Sequence, residues 1–309
     1  MAFANFLGAV TRLRRPKVIV RVLGGLGNQL FSYAAARRLA LGSDAELVLD
    51  HVSGFVRDSA YRRNYQLDHF RIPCRKASAG ERLEPMPRIR RYFKKALNQR
   101  RPFSARRYIV QEGVDFDPRL LALQPRGTLF LEGYWQSEGY FKDIEPTIRD
   151  DLRIVAPADA SNLEMADRIR SRTAVAVHVR FFDAPTTAGS DNAPSDYYAR
   201  SIERMENLVP NSHYFLFSDE PDAARAVIPL PDSRVTVVDI NKGDANAYAD
   251  LWLMTQCRHF VIANSTFSWW GAWLSASADK HVIAPGFEKR TGKMWWGFDG
   301  LLPEEWVKL

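Results

Sequence analysis

From about residue 172 onward, short apolar runs alternate with stretches of helical spacing, and no other feature constrains the fold as tightly. TAVAVHV, HYFLF, RVTVV, HFVIA and HVIA read as strands; SDYYARSIERMENLV, a short acidic segment from Pro221, ANAYADLWLMTQC and a tryptophan-rich run from Thr266 read as helices. That alternation predicts a parallel, doubly wound sheet. The chain begins with the same pattern: KVIVRVL as a strand, Gly24-Gly25-Leu26-Gly27-Asn28 as a flexible turn, QLFSYAAARRLAL as a helix and AELVLD as the next strand. Residues 75–128 hold few strand-like runs and are rich in Pro and Arg, which predicts helices and loops. At 309 residues the chain has room for two units with cores of their own. The expected division is a tail over 1–17, a first α/β domain over 18–165 and a second over 166–309, split after the segment APADASN.

In open α/β sheets the ligand crevice lies along the carboxyl ends of the strands. The chemically interesting residues fall there: His178 and Arg180, Ser218 and Asp219, and Asn264 to Ser268. HFVIA runs straight into Asn264-Ser265-Thr266-Phe267-Ser268-Trp269-Trp270, so hydroxyls and free N–H groups meet the positive end of a helix. An anion, phosphate first, suits that junction; the bland alternative is ordinary N-capping. Trp269, Trp270 and Trp273 surround the helix and are expected to fill a core, and the glycosylation sequon at Asn264 is expected to be accidental. HVRFFD offers an imidazole, a guanidinium and a carboxylate on one loop. Arg180 could hold a diphosphate and neutralise its departing charge in place of a metal ion, or simply pair with Asp183. Ser218 and Asp219 could bind ribose or base, or cap the helix at Pro221. The glycine turn matches neither the dinucleotide fingerprint nor a P-loop. Asp115-Phe116-Asp117 has the form of a metal-binding DxD, but a proline follows it and no apolar strand precedes it, so it reads as a turn. A metal-independent site without cofactor is the resulting expectation.

Composition narrows the class. Hydrophobic residues make up 46% and charged residues 26%, as in a soluble globular protein, and no apolar run approaches a membrane span. The arginines near residue 12 follow the mildly apolar start rather than precede it, the wrong order for a secretory signal, so a cytoplasmic protein is expected. Cys74 and Cys257 are far apart and read as buried thiols. The formal charge of +7 is concentrated between Arg88 and Arg107, a stretch with no acidic residue. Three readings stand: a solvated basic helix with Tyr92, Phe93 and Leu97 turned inward, adsorption to anionic lipid at the inner membrane face, or nucleic-acid binding. The last lacks any accompanying motif, so no nucleic-acid partner is expected. No nucleophile elbow, HExxH or kinase set is present.

Taken together, GGLGNQLFSYAAARRLA, LVLDHVSGF with YRRNYQLDHFRI, GYWQSEGYF, HVRFFD, FSDE and LWLMTQCRHFVIANSTFSWWGAWL resemble glycosyltransferase family 11, the bacterial and animal α-1,2-fucosyltransferases. The resemblance covers most of the chain in family order. It implies a GT-B fold, with an acceptor-side domain followed by a donor domain, and GDP-β-L-fucose as donor. Transfer would be metal-independent and inverting, to the 2-hydroxyl of a galactoside. The acceptor would be a galactose-terminated glycan; a lipid-linked one at the cytoplasmic face, with peripheral membrane contact, would explain the basic run from Arg88 to Arg107. Arg180 and its neighbour His178 then match the family's diphosphate-binding element. Asn28, with Gly25, Gly27 and Gln29 of the glycine loop, would reach the donor from the other domain. Ser218, Asp219, Asn264, Ser265, Thr266 and Ser268 would line the nucleotide pocket. Asp50, at a strand end, is the candidate base or else a structural cap. Phe181 stands where the family's HxRRxD pattern has a second arginine. The rivals are transfer through another linkage such as α-1,6, because related families share HxR, and a noncatalytic GDP-sugar binder.

Overall fold

The computed structural model describes residues 15–59, 61–184, 187, 191–286 and 296–309; the expected tail therefore lies, up to residue 14, outside the described residues. Two parallel sheets organise the chain. The first contains β1 (Lys17–Arg21), β2 (Glu46–Asp50), β3 (Arg75–Lys76), β4 (Tyr108–Val110) and β5 (Thr128–Glu132) in the order β3-β2-β1-β5-β4. The second contains β6 (Ala174–Val179), β7 (His213–Ser218), β8 (Val235–Val238), β9 (His259–Val261), β10 (Val282–Ala284) and β11 (Val307–Lys308) in the order β11-β10-β9-β6-β7-β8. Each sheet grows outward in both directions from its first strand, so each has a topological switch point there, between β1 and β5 and between β6 and β9. β6 is buried along its whole length, as a central strand covered on both faces must be.

The helices are α1 (Leu26–Gly42), α2 (Pro87–Gln99), α3 (Glu145–Asp151), α4 (Ala160–Arg170), α5 (Ser195–Leu208), α6 (Pro221–Ala226), α7 (Ala247–Gln256) and α8 (Thr266–Leu274). α1 is apolar around most of its circumference because it is enclosed between the first sheet and α8. Phe31 of α1 packs on Trp269 and Trp270 of α8, with ring centroids 4.5 and 4.9 Å away. One core therefore runs from the first sheet through α1 and α8 to the second sheet, and the tryptophans fill it, as their spacing predicts. A separate cluster lies under α5 on the other face of the second sheet. α4 straddles the expected boundary at residue 165 and packs against α7 of the second unit.

Two local expectations are corrected. The 75–128 region supplies two strands, β3 and the edge strand β4, whose two- and three-residue lengths leave no readable period. In α2 the expected inward residues are outside: Tyr92 is 69% exposed, Phe93 59% and Leu97 64%. The helix instead turns Arg91 and Lys95 inward, because Asp50 and Glu132 at the ends of β2 and β5 provide carboxylates for them at 2.9 and 2.7 Å.

Candidate active site

The three polar tips of the second sheet lie on adjacent strands. β6 pairs with β7 on one side and β9 on the other, so the loops carrying Arg180, Ser218-Asp219 and Asn264-Ser265 emerge side by side. Arg180 Nη1 lies 2.8 Å from the Asp219 carboxylate, whose other oxygen accepts the Phe181 N–H at 3.2 Å. Asp219 thus fixes both the guanidinium and the backbone beside it. Ser218 caps the turn, its Oγ accepting from the Glu220 N–H. His178 is 5% exposed, with its ring 5.5 Å from that of Phe267. Burial, with the nearby Arg180 charge, pushes its imidazole down to about 3, so it is neutral at physiological pH. Asn264 Nδ2 donates to the Asp191 carbonyl, tying the β9 tip to the loop after β6. Two buried atoms on this rim, His178 Nδ1 and Asn264 Oδ1, have no partner among the described residues. Such groups are costly unless something else bonds them.

At the junction with the first sheet, Ser265 N-caps α8, its Oγ accepting from Phe267 N, and the Ser268 hydroxyl donates to the Ser265 carbonyl. Ser268 is fully buried, so its hydroxyl serves the first turn of α8. Thr266 Oγ1 donates to Asn28 Oδ1 at 3.1 Å, and Gln136 Nε2 donates to the same oxygen at 2.7 Å. Gly27 lies so close to α8 that a Cβ there would be 2.5 Å from the Thr266 carbonyl carbon. The first turns of α1 and α8 therefore abut. Neither has an acidic residue, and Gly25, the N-cap of α1, has no side chain to bond the free amides. Two positive helix ends held together attract an anion more strongly than either alone. The Arg63 guanidinium sits over Gly25, 3.7 Å from where its Cβ would be, and pairs with Asp244 of the second unit. Asp244 also accepts from Gln66 Nε2 at 2.8 Å.

Gln29 and Asp50 have internal duties. Gln29 is fully buried, donating to the Gly24 and Asn64 carbonyls and accepting from Gln66 N, so it shapes the glycine loop. Asp50 is 3% exposed and accepts from Val52 N, Ser53 N, the Ser53 hydroxyl and Arg91. With these four donors it caps the turn after β2 and pairs with Arg91. Beside it, Glu132 meets Arg21, Lys95 and Tyr108. Burial alone would raise its carboxyl; the bonds from Lys95 and Tyr108 and the Arg21 charge hold it below the ordinary glutamate range. Asp117 of the DxD-like triplet caps the turn at Pro118 and pairs with Arg119 at 2.7 Å. Arg63, Gln136 and Asp244 are additions to the expected site. The first two lie inside the quoted motifs, whereas Asp244 has no signal of its own.

Two parallel α/β sheets joined through α1 and α8 are the GT-B architecture. The chain belongs to glycosyl transferase family 11, whose model matches residues 90–293. It is 28% identical over 301 residues to an alpha-1,2-colitosyltransferase of Escherichia coli, covering 94% of this chain and 98% of that protein. It is 27% identical over 286 residues to the O-antigen biosynthesis glycosyltransferase WbnK of Escherichia coli, covering 85% and 91%. Among solved structures, the fucosyltransferase NodZ from Bradyrhizobium superposes with a TM-score of 0.50 at 16% identity, over 84% of this chain and 92% of that one, a likeness of fold.

Proposed function

We propose that this glycosyltransferase moves L-fucose from GDP-β-L-fucose to the 2-hydroxyl of a galactoside in a lipid-linked, cell-surface glycan, with inversion and without a divalent metal. The observation that carries the donor side is the abutment of the first turns of α1 and α8, with Arg63 over Gly25, beside the strand β6 whose carboxyl end leads to Arg180. A diphosphate placed there would take a bidentate contact from Arg180 in exchange for Asp219, and amides from the helix ends. As the glycosidic bond to GDP breaks, negative charge grows on the departing phosphate, and these fixed donors stabilise it most at that moment. Neutral His178 is a poor base but can donate or accept a hydrogen bond at the donor. Asn28, held by Thr266 and Gln136, joins the two halves of the cleft and so helps align acceptor with donor. The 1,2-linkage is supported by the name of the colitosyltransferase relative, and the galactoside acceptor by the motif resemblance.

That same relative favours a second reading, in which the transferred sugar is colitose, a fucose lacking the 3-hydroxyl. Transfer assays with the GDP derivatives of both sugars on a free β-galactoside, with EDTA present, test the proposal. Fucosyl product whose NMR spectrum places the new linkage at the galactose 2-position is expected. A 6-linked product, colitosyl transfer alone, or a metal requirement would each displace part of it. Donor binding with no transfer to any galactoside would leave only a noncatalytic binder.

A further inference from the structure

Helix α2 is inverted: the residues it buries are polar and its large apolar residues point out. Arg91 and Asn98 are buried, Arg91 reaching Asp50 and Asn98 bonding the Lys94 carbonyl and the Arg107 N–H. Met86, which precedes the helix, and then Ile89, Phe93 and Leu97 follow one another at steps of three, four and four residues, so they form one stripe. They are 61%, 53%, 59% and 64% exposed, and Tyr92 beside them 69%. Arg90 and Lys94 border the stripe on one side, and Arg88, Arg100 and Arg101 are exposed near the two ends of the helix. Ion pairs take Arg91, Lys95 and Arg106, leaving Arg88, Arg90, Lys94, Arg100, Arg101 and Arg107 without a carboxylate partner among the described residues.

We propose that this face docks on the surface of an anionic lipid bilayer. An exposed apolar stripe bordered by long cationic side chains is the geometry of a helix lying in the interface plane. Its hydrocarbon enters the acyl boundary while the cations meet headgroup phosphates. A second copy of the chain is the poorer occupant, because a symmetric contact would set these cations against each other. Nor can the stripe be satisfied internally. The contacts of Arg91 with Asp50 and of Lys95 with Glu132 fix the rotation of the helix and keep Ile89, Phe93 and Leu97 outward. Asp50 and Glu132 end β2 and β5, on the carboxyl edge of the first sheet. Docking through α2 would therefore bring the acceptor half of the cleft close to lipid, where a lipid-linked glycan is presented. That last consequence rests on the proposed function; the docking does not.

Co-sedimentation of the full chain at low salt with vesicles of phosphatidylcholine, with and without phosphatidylglycerol, tests the docking. Two variants accompany it: Ile89→Ser/Phe93→Ser/Leu97→Ser, and Arg88→Gln/Arg90→Gln/Lys94→Gln. All six positions are exposed and none of their side chains pairs with a carboxylate among the described residues, so both variants should fold, and transfer to a free soluble galactoside should be unchanged. The wild type should sediment with the anionic vesicles and not the neutral ones. Removing three cations should weaken binding about 100-fold, at roughly fivefold per charge, and the serine variant should also lose binding. Absence of wild-type binding, equal binding to neutral vesicles, or binding that survives both variants would overturn the proposal. So would a wild-type dimer, seen by light scattering without lipid, that the serine variant dissociates. Vesicle binding by a protein inactive on galactosides would count against the proposed function and leave the docking intact.

Discussion

Asp219 bonds both the Arg180 guanidinium and the Phe181 amide, so one carboxylate sets the direction of the loop after β6. Arg180→Ala should lower kcat/KM by at least 100-fold, since removing one well-placed charge-stabilising donor costs about 3 kcal/mol at the transition state. Arg180→Lys should recover part of the loss but not the bidentate geometry. Steady-state kinetics with a melting curve for each variant checks this, and the melting temperature should stay near wild type. His178 carries a pH signature. Its folded pKa lies near 3, below the ordinary 6.5, so the unfolded chain binds the proton first. Stability should hold above pH 6.5 and fall as pH drops from there toward 3. His178→Asn should flatten that part of the melting-temperature profile. Arg180, His178 and Asp219 were legible because they follow strand-like runs. The Asp219 contact was not, since nothing in the intervening residues says which acid the β7 tip will turn toward Arg180.

At the scale of elements, the abutment of α1 on α8 depends on residue 27 having no side chain. Gly27→Ala would put a methyl carbon against the Thr266 carbonyl, and backbone cannot swing aside as a side chain can. We expect a loss of about 1–3 kcal/mol, typical of overpacking, seen as a lower melting temperature together with weaker GDP binding. On α7, burial raises the Asp250 carboxyl to about 7 despite the bond from Asn241. An acid that stays protonated in the fold favours folding at low pH and loses that advantage as pH climbs from the unfolded value near 4 through 7. Asp250→Asn keeps the acceptor for Asn241 and should raise the melting temperature at pH 8 while changing it little at pH 4. Most elements could be read from apolar runs between Gly and Pro. α2 was read the wrong way round because its rotation is set by Asp50 and Glu132, which lie far from it in sequence and meet it only through the sheet.

For the whole molecule, the continuous core through Phe31, Trp269 and Trp270 means that neither half is closed without the other. The two-sheet division was visible in the sequence; the fusion of the cores at α1 and α8 was not, because the tryptophans signal burial without naming their partner. Scanning calorimetry should therefore show one cooperative transition, and two separate transitions would contradict a shared core. The central claim is that arginine and helix ends do the work of a cation at the seam between the sheets. Titration calorimetry of GDP into the wild type and Arg180→Ala, both in EDTA, tests it most directly. Binding by the wild type in EDTA, weakened at least about tenfold by Arg180→Ala, is the expected result. Binding that needs added magnesium, or that is the same in both proteins, would contradict it.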